Sequence, residues 1–133
     1  MKKVYFGHPV NIYGTTAEQL LINAIQKGFP GWHIENPNQP QHGEGYQRFK
    51  VEKGNGMLYF FEEVLPQMDA GVFLPFDDGM FGAGVYKEAQ FLIDARKPVY
   101  EIDQDGGLSN LVLNETRKLS IEETRARVYG KKD

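Results

Sequence analysis

The chain contains no cysteine, no long apolar run and no cluster of basic residues. Without cysteine it forms neither a disulfide nor a thiolate metal site, which is typical of a reducing compartment. No segment approaches the roughly 20 apolar residues that a membrane-spanning helix needs. Residues 1–3 lead directly into the short apolar run 4–6, which is too short for a signal-peptide core. We therefore expect a cytoplasmic protein with no membrane partner.

Positive charge is also not in excess, since 15 Lys and Arg stand against 18 Asp and Glu, for a formal net charge of −3. Binding to a nucleic-acid polymer needs a clustered positive field, so we expect no such partner. The three histidines, His8, His33 and His42, lack the carboxylate spacing of a metal site, and no metal is expected. A length of 133 residues predicts one domain, residues 1–133, that can bury a core.

Short β-type runs alternate with helical patterns along the chain. The β-type runs are residues 3–7, 32–35, 70–74 and 99–102. The helical patterns cover residues 15–28, 57–68 and 83–96, and a charged helix follows to about residue 129. Thr15 and Ser120 each precede a Glu three residues later, which is the spacing of a capping box at a helix start.

This order of elements predicts a doubly wound α/β fold of the flavodoxin-like or Rossmann-like kind. We expect an open, mostly parallel sheet with strand order 2-1-3-4 and helices on both faces. The apolar run 70–74 is typical of a central strand that is covered on both faces. The turn signal at 105–107 predicts that a last strand, 111–113, folds back antiparallel at the sheet edge. The polar stretch 36–56 is interpreted as a long loop that is helical only in part.

Ligands of such folds bind at the carboxyl ends of the strands, where the winding reverses. Residues 7–14 and 75–88 follow the two strands that meet there. Gly82 and Gly84 permit close backbone approach, and the free amides of the helix start suit an anion. We predict Glu88 in the first turn of that helix, kept ionised by the helix field. Such a carboxylate can attack as a nucleophile or stabilise a developing cation, or it can simply complement the helix dipole.

Several motifs, taken in order, resemble those of the nucleoside 2-deoxyribosyltransferase superfamily. Val4-Tyr5-Phe6-Gly7 looks like its first strand, and residues 69–74 are similar to its central strand, which an Asp introduces. Gly84-Val85-Tyr86-Lys87-Glu88 fits its Gly-x-x-x-Glu helix start. Residues 96–99 lie where the family usually has Gly-Lys-x-Val, whereas Gln90 stands where it often has Gly. The likeness extends over roughly the first three-quarters of the chain.

The resemblance implies cleavage of the N-glycosidic bond of a nucleoside or a nucleoside 5′-monophosphate, by hydrolysis or by (deoxy)ribosyl transfer. Glu88 would attack the anomeric carbon through an oxocarbenium-like transition state, and Tyr5 would hydrogen-bond Glu88. Asp77 or Asp78 would lie near the base, with Asp78 expected to take part in catalysis. Water, a second base or no acceptor at all are open alternatives. No cofactor is expected, and we expect a homo-oligomer, a dimer or larger.

Further residues are expected to bind the substrate because they lie in the motifs or follow the first or third strand. These residues are Gly7, His8, Asn11, Tyr13, Asp69, Asp77, Gly82 and Gly84. Asp69 could instead only cap a turn. Two other functions are open: a nucleotide-binding module without catalysis, and a scaffold protein that works through its charged terminal helix. A flavodoxin-like electron carrier is disfavoured because the loop after the first strand lacks a Ser/Thr-rich phosphate cradle.

Overall fold

The computed structural model describes residues 1–130, which form a five-stranded sheet with helices on both faces. The strands are β1 (Lys3–Gly7), β2 (His33–Glu35), β3 (Ala70–Phe73), β4 (Val99–Ile102) and β5 (Leu108–Asn110). The helices are α1 (Thr16–Gly28), α2 (Pro40–Lys53), α3 (Ala83–Asp94) and α4 (Ile121–Tyr129). None of the helices within residues 1–130 combines the length and the apolar composition needed to cross a membrane.

The strand order is β2-β1-β3-β4-β5, with parallel pairing everywhere except between β4 and β5. This confirms the predicted doubly wound α/β fold and its antiparallel edge. The edge strand itself begins earlier than predicted, at Leu108 rather than at residue 111. The Asp103 carboxylate accepts hydrogen bonds from the Asp105 and Gly107 amides, so the turn closes quickly and pairing starts directly after it. Leu111 instead contributes its side chain to the core.

Alternate residues of β1 pack on opposite faces of the sheet, as the period of a strand requires. Tyr5 faces one apolar cluster, which also contains Phe73 and residues of α3. Val4 and Phe6 face the other cluster, together with residues of α1. All four residues of β3 are buried, which confirms its prediction as a central strand. Side chains of β1 therefore reach toward α3 on one face only, and Tyr5 is among them.

The stretch interpreted as a long loop is mostly the helix α2. Pro40 begins it at a position where its missing amide costs nothing, and Gly54 ends it with φ 73°. Only His42, Gly45 and Phe49 are buried in α2. The single helix expected over 57–68 is divided into a π-helical turn, Phe60–Val64, and a 3-10 turn, Leu65–Gln67. Pro66 lies in the second turn and has no amide to continue a regular helix.

Both predicted helix starts are present. The Thr15 hydroxyl accepts the Glu18 amide at 3.2 Å, and Ser120 and Glu123 form a complete capping box at the start of α4. The start of α1 differs from a complete capping box in one detail. The Glu18 carboxylate accepts a hydrogen bond from the Gly14 amide, at 3.0 Å, rather than from the amide of the capping residue Thr15. This contact ties the loop after β1 to α1.

Candidate functional site

A cavity of about 280 Å³ lies at the carboxyl end of β1, on the face of the sheet that α3 covers. Its walls come from β1 and the loop after it, from α2, and from the beginning of α3. The lining side chains that matter most are those of Tyr5, His8, Tyr13, His42, Tyr46 and Glu88. No Lys or Arg lines this cavity.

Glu88 is buried, and its carboxyl group lies in the cavity wall. The Tyr5 hydroxyl donates a hydrogen bond to Glu88 Oε2 at 2.7 Å, which is the contact expected from the resemblance. Gly7 makes this arrangement sterically feasible. A Cβ atom at residue 7 would lie 2.5 Å from the Phe73 ring and 3.1 Å from Glu88 Oε1. Of the residues that the sequence analysis selected, Tyr5 and Glu88 are therefore in contact, and Gly7 lies beside Glu88.

The ionisation of Glu88 differs from the prediction. Burial raises the pKa of Glu88 to about 7, and the hydrogen bond from Tyr5 only partly opposes this. Glu88 is the sixth residue of α3 and lies beyond its first turn, where the helix field is weak. The first amide of α3, that of Ala83, is bonded to the Thr124 hydroxyl at 2.9 Å, so this end of the helix is partly occupied. Desolvation therefore decides the charge of Glu88.

Tyr13 is a further phenol in the same cavity. Burial raises its pKa above the ordinary range, and the nearby carboxylates of Glu88 and Glu18 add to this effect. The Tyr13 hydroxyl therefore stays protonated at neutral pH. Within residues 1–130 it forms no hydrogen bond, so it is available to donate one to a ligand.

His8 also lines the cavity, but both of its ring nitrogens are engaged. Nδ1 lies 2.8 Å from the Phe6 carbonyl oxygen, and Nε2 lies 2.8 Å from Glu18 Oε2. Burial lowers the pKa of His8, although the contacts with Glu18 and with the Phe6 carbonyl act in the opposite direction. An unprotonated nitrogen would, however, be repelled by an oxygen at this distance, so the form that fits is the doubly protonated ring beside an ionised Glu18. Asn38 and the Gly14 amide also donate to Glu18.

The second wall of the cavity comes from α2. His42 on α2 lies 2.7 Å from Glu35 Oε2 through Nε2 and 2.8 Å from the Tyr59 hydroxyl through Nδ1. Tyr46 and Gln47 of the same helix complete this wall. The helical spacing of His42, Tyr46 and Phe49 is the sequence pattern that indicates this wall. The glycines and polar residues between them conceal that pattern.

Asp77, Asp78 and Asn11 do not lie in this cavity. They line a separate hollow of about 470 Å³, and the 3-10 turn Val10–Ile12 lies between the two. Arg127 donates to both carboxylate oxygens of Asp78 at 2.7 Å. This pairing lowers the pKa of Asp78 to about 2, so Asp78 is ionised at neutral pH and carries no proton to donate. Its expected role beside the base is not supported by this position.

Asp69 and Gly82 are likewise outside the cavity. Asp69 lies at the amino end of the central strands, where its carboxylate accepts the Lys3 amide at 2.9 Å. These amino ends of the strands lie opposite to the crevice, and the contact holds β1 against β3. Gly82 precedes α3 and packs near Thr124, whereas Gly84 does line the cavity.

The remaining chemistry is that of side chains alone. Residues 1–130 contain no group of three or more His, Asp or Glu side chains arranged to hold a metal ion. Comparisons of the chain with protein-family models, with curated proteins and with solved structures found no match. The groups able to take part in a reaction in the cavity are a buried carboxyl, three phenols and two histidines whose ring nitrogens are already engaged in hydrogen bonds.

Proposed function

We propose that the protein cleaves the N-glycosidic bond of a nucleoside or nucleoside 5′-monophosphate, with Glu88 as the nucleophile. One observation carries this proposal: Glu88 is a buried carboxyl in a ligand-sized cavity, and the Tyr5 hydroxyl is its hydrogen-bond partner. The motif resemblance selects the same two residues. The proposal also includes a cytosolic location and a homo-oligomeric state. Light scattering would measure the oligomeric state.

In the first step a carboxylate oxygen of Glu88 bonds to the anomeric carbon as the bond from that carbon to the base nitrogen breaks. The electron pair leaves with the base, which takes up a proton. In the second step water attacks the same carbon, loses a proton and releases the sugar and Glu88. A second base can take the place of water, and transfer then replaces hydrolysis. A tyrosine such as Tyr13 can donate a hydrogen bond to the leaving base or to a sugar hydroxyl.

The environment of Glu88 suits an oxocarbenium-like transition state. No Lys or Arg lines the cavity and His8 is paired with Glu18, so the charge of Glu88 is available to the positive charge that develops on the sugar. With a pKa of about 7, a large fraction of Glu88 is ionised at neutral pH, and the ionised form is poorly solvated. Both conditions favour attack on carbon. Tyr5 directs one oxygen of the carboxylate and leaves the other free.

The walls of the cavity suit a flat heterocycle. Tyr13, Tyr46 and Phe60 present aromatic surface, and Gln47 adds an amide that can both donate and accept. Sites for small molecules commonly combine apolar walls with a few polar groups of this kind. The nucleobase is the part of a nucleoside that such walls fit.

The test is release of free base from the four common 2′-deoxynucleosides and their 5′-monophosphates, with and without an acceptor base. We expect Glu88→Gln to lower kcat by at least about a thousandfold, because the amide cannot attack carbon. Asp94→Asn is the matched control, since it makes the same change on the same helix outside the cavity. If Glu88→Gln releases base at the wild-type rate, the proposed role of Glu88 as the nucleophile is contradicted.

A second candidate is a nucleotide-binding module without catalysis. The raised pKa of Glu88 favours it to some extent, because a protonated carboxyl can donate a hydrogen bond to a base without attacking the sugar. This candidate predicts that nucleotides raise the melting temperature while no base is released over hours.

A further inference from the structure

A groove of about 500 Å³ runs beside the cavity, between the start of α3 and helix α4. The two spaces are adjacent, because Tyr46, Met57 and Gly84 line both of them. Gly84 has no side chain at this boundary, and Met57 Cε would lie 3.5 Å from a Cβ atom placed there. A ligand that reaches from the cavity into the groove would pass over Gly84.

The groove and the cavity have opposite charge. Lys87 and Arg125 are the only charged side chains that line the groove, and no Asp or Glu lines it. Within residues 1–130 neither cation forms an ion pair. Both charges are therefore available to an anion in the groove. The groove is thus complementary to an anion that the cavity, with Glu88, would repel.

The spacing of residues along α3 gives the distance between Glu88 and the boundary of the groove. Gly84 at this boundary and Glu88 in the cavity are four residues apart, which is a separation of roughly 6 Å along the helix axis. A furanose ring and its 5′-oxygen bridge such a distance between the anomeric carbon and a 5′-phosphorus. The cavity itself, at about 280 Å³, is small among ligand sites, so an additional phosphate extends beyond it.

We propose that the groove beside Gly84 binds the 5′-phosphate of a nucleoside 5′-monophosphate, with Lys87 and Arg125 as the cationic partners. The sugar and base then occupy the cavity, with the anomeric carbon toward Glu88. Arg125 can bind two phosphate oxygens at once, and Lys87 contributes a compact charge. This inference rests on the proposed function and narrows its substrate to the nucleotide.

The experiment compares nucleotide and nucleoside with the same base, in turnover and in binding. For wild type we expect kcat/KM to be higher for the 5′-monophosphate. The double variant Lys87→Gln/Arg125→Gln should lower the nucleotide-to-nucleoside ratio of kcat/KM by about tenfold or more, since two charge-assisted contacts are lost. The control Lys27→Gln/Lys50→Gln removes the same charge from exposed positions on α1 and α2 outside the groove and should keep the ratio.

Binding is measured by calorimetry on Glu88→Gln, which holds the ligand without turnover, with and without the two groove substitutions. Nucleotide binding that these substitutions weaken supports the groove even if wild type releases no base, and then only the catalytic proposal fails. If base is released and the preference for the nucleotide is unchanged by the groove substitutions, the groove proposal is overturned and the catalytic proposal stands. If wild type prefers the nucleoside, or Glu88→Gln binds neither ligand, the groove proposal is overturned as well.

Discussion

Two buried glutamates of this protein, Glu18 on α1 and Glu88 on α3, are treated by the fold in opposite ways. Glu18 accepts hydrogen bonds from His8, from the Gly14 amide and from Asn38. Burial alone would raise the pKa of Glu18, but these donors together lower it below its ordinary value. Glu88 has the Tyr5 hydroxyl as its partner, and burial raises its pKa to about 7.

The difference separates a structural carboxylate from a reactive one. The donors around Glu18 hold the loop after β1 in place. They also stabilise the negative charge of Glu18, which makes its carboxylate a poor nucleophile. Glu88 keeps one carboxylate oxygen without a hydrogen-bond partner within residues 1–130, in a cavity that no Lys or Arg lines, and burial raises the free energy of its ionised form. A carboxyl with such a shift in a cleft is a candidate for chemistry. The same substitution, Glu to Gln, should therefore have opposite effects on stability at the two positions.

The largest expected effect is that of Glu18→Gln. The amide cannot balance the charge on the His8 ring, so we expect the free energy of unfolding to fall by about 4 kcal/mol at pH 7. Urea denaturation followed by circular dichroism would measure it. A loss below about 1 kcal/mol would mean that His8 is neutral and that the contact is an ordinary hydrogen bond.

Glu88→Gln should change stability in the other direction. The pKa of Glu88 is raised from 4.5 to about 7, so the folded state binds the proton more tightly than the unfolded state does. Wild type therefore loses stability through this group as the pH rises from about 4.5 to 7. Gln has no such ionisation, and the variant should be more stable than wild type by about 3 kcal/mol at pH 8.

The stability difference should vanish at about pH 4, where Glu88 is protonated in both the folded and the unfolded chain. Urea denaturation of both proteins at a series of pH values gives the curve. A difference that does not depend on pH would mean that Glu88 ionises normally. The two glutamate variants serve as controls for one another, because each makes the same chemical change in a buried site.

The sequence predicted most of the fold because its strongest signals are local. The apolar run at β3, the capping residues Thr15 and Ser120, and the alternation of elements were enough for the strand order. The edge strand was placed three residues late, since the Asp103 side chain that closes the turn leaves no signature in a pattern of apolar residues. The stretch that contains helix α2 was interpreted as a loop that is helical only in part, because α2 buries so few apolar side chains.

The site could be predicted only in part. Tyr5, Gly7 and Glu88 were found because they lie in motifs that resemble known ones, and the structure brings them together. Asp78 was assigned to the same site because it follows the same strand as Glu88. Its position depends on Arg127, which is distant in sequence, and the loop that carries it faces a different hollow. Burial of Glu88, which decides its charge, is likewise a property of the whole packing.

A smaller effect should come from Tyr5→Phe, which removes only the hydroxyl group. That hydroxyl donates to the ionised form of Glu88 and lowers its pKa, so the variant should have a higher Glu88 pKa than wild type. Base release at pH 7 should fall several-fold, and the rise of the rate with pH should move to higher pH. Tyr100→Phe on β4, outside the cavity, is the matched control. An unchanged pH profile in Tyr5→Phe would mean that the contact is absent in solution.

The most direct measurement is a pH titration of the glutamate side chains by NMR, on protein labelled with ¹³C at the side-chain carboxyl of glutamate. One carboxyl signal should titrate near pH 7, and it should be missing from the spectrum of Glu88→Gln. The Glu18 signal, in contrast, should titrate below the ordinary range. If every glutamate, including Glu88, titrates below about pH 5, the side chain is well solvated or paired with a cation, and a desolvated nucleophile at this position is contradicted.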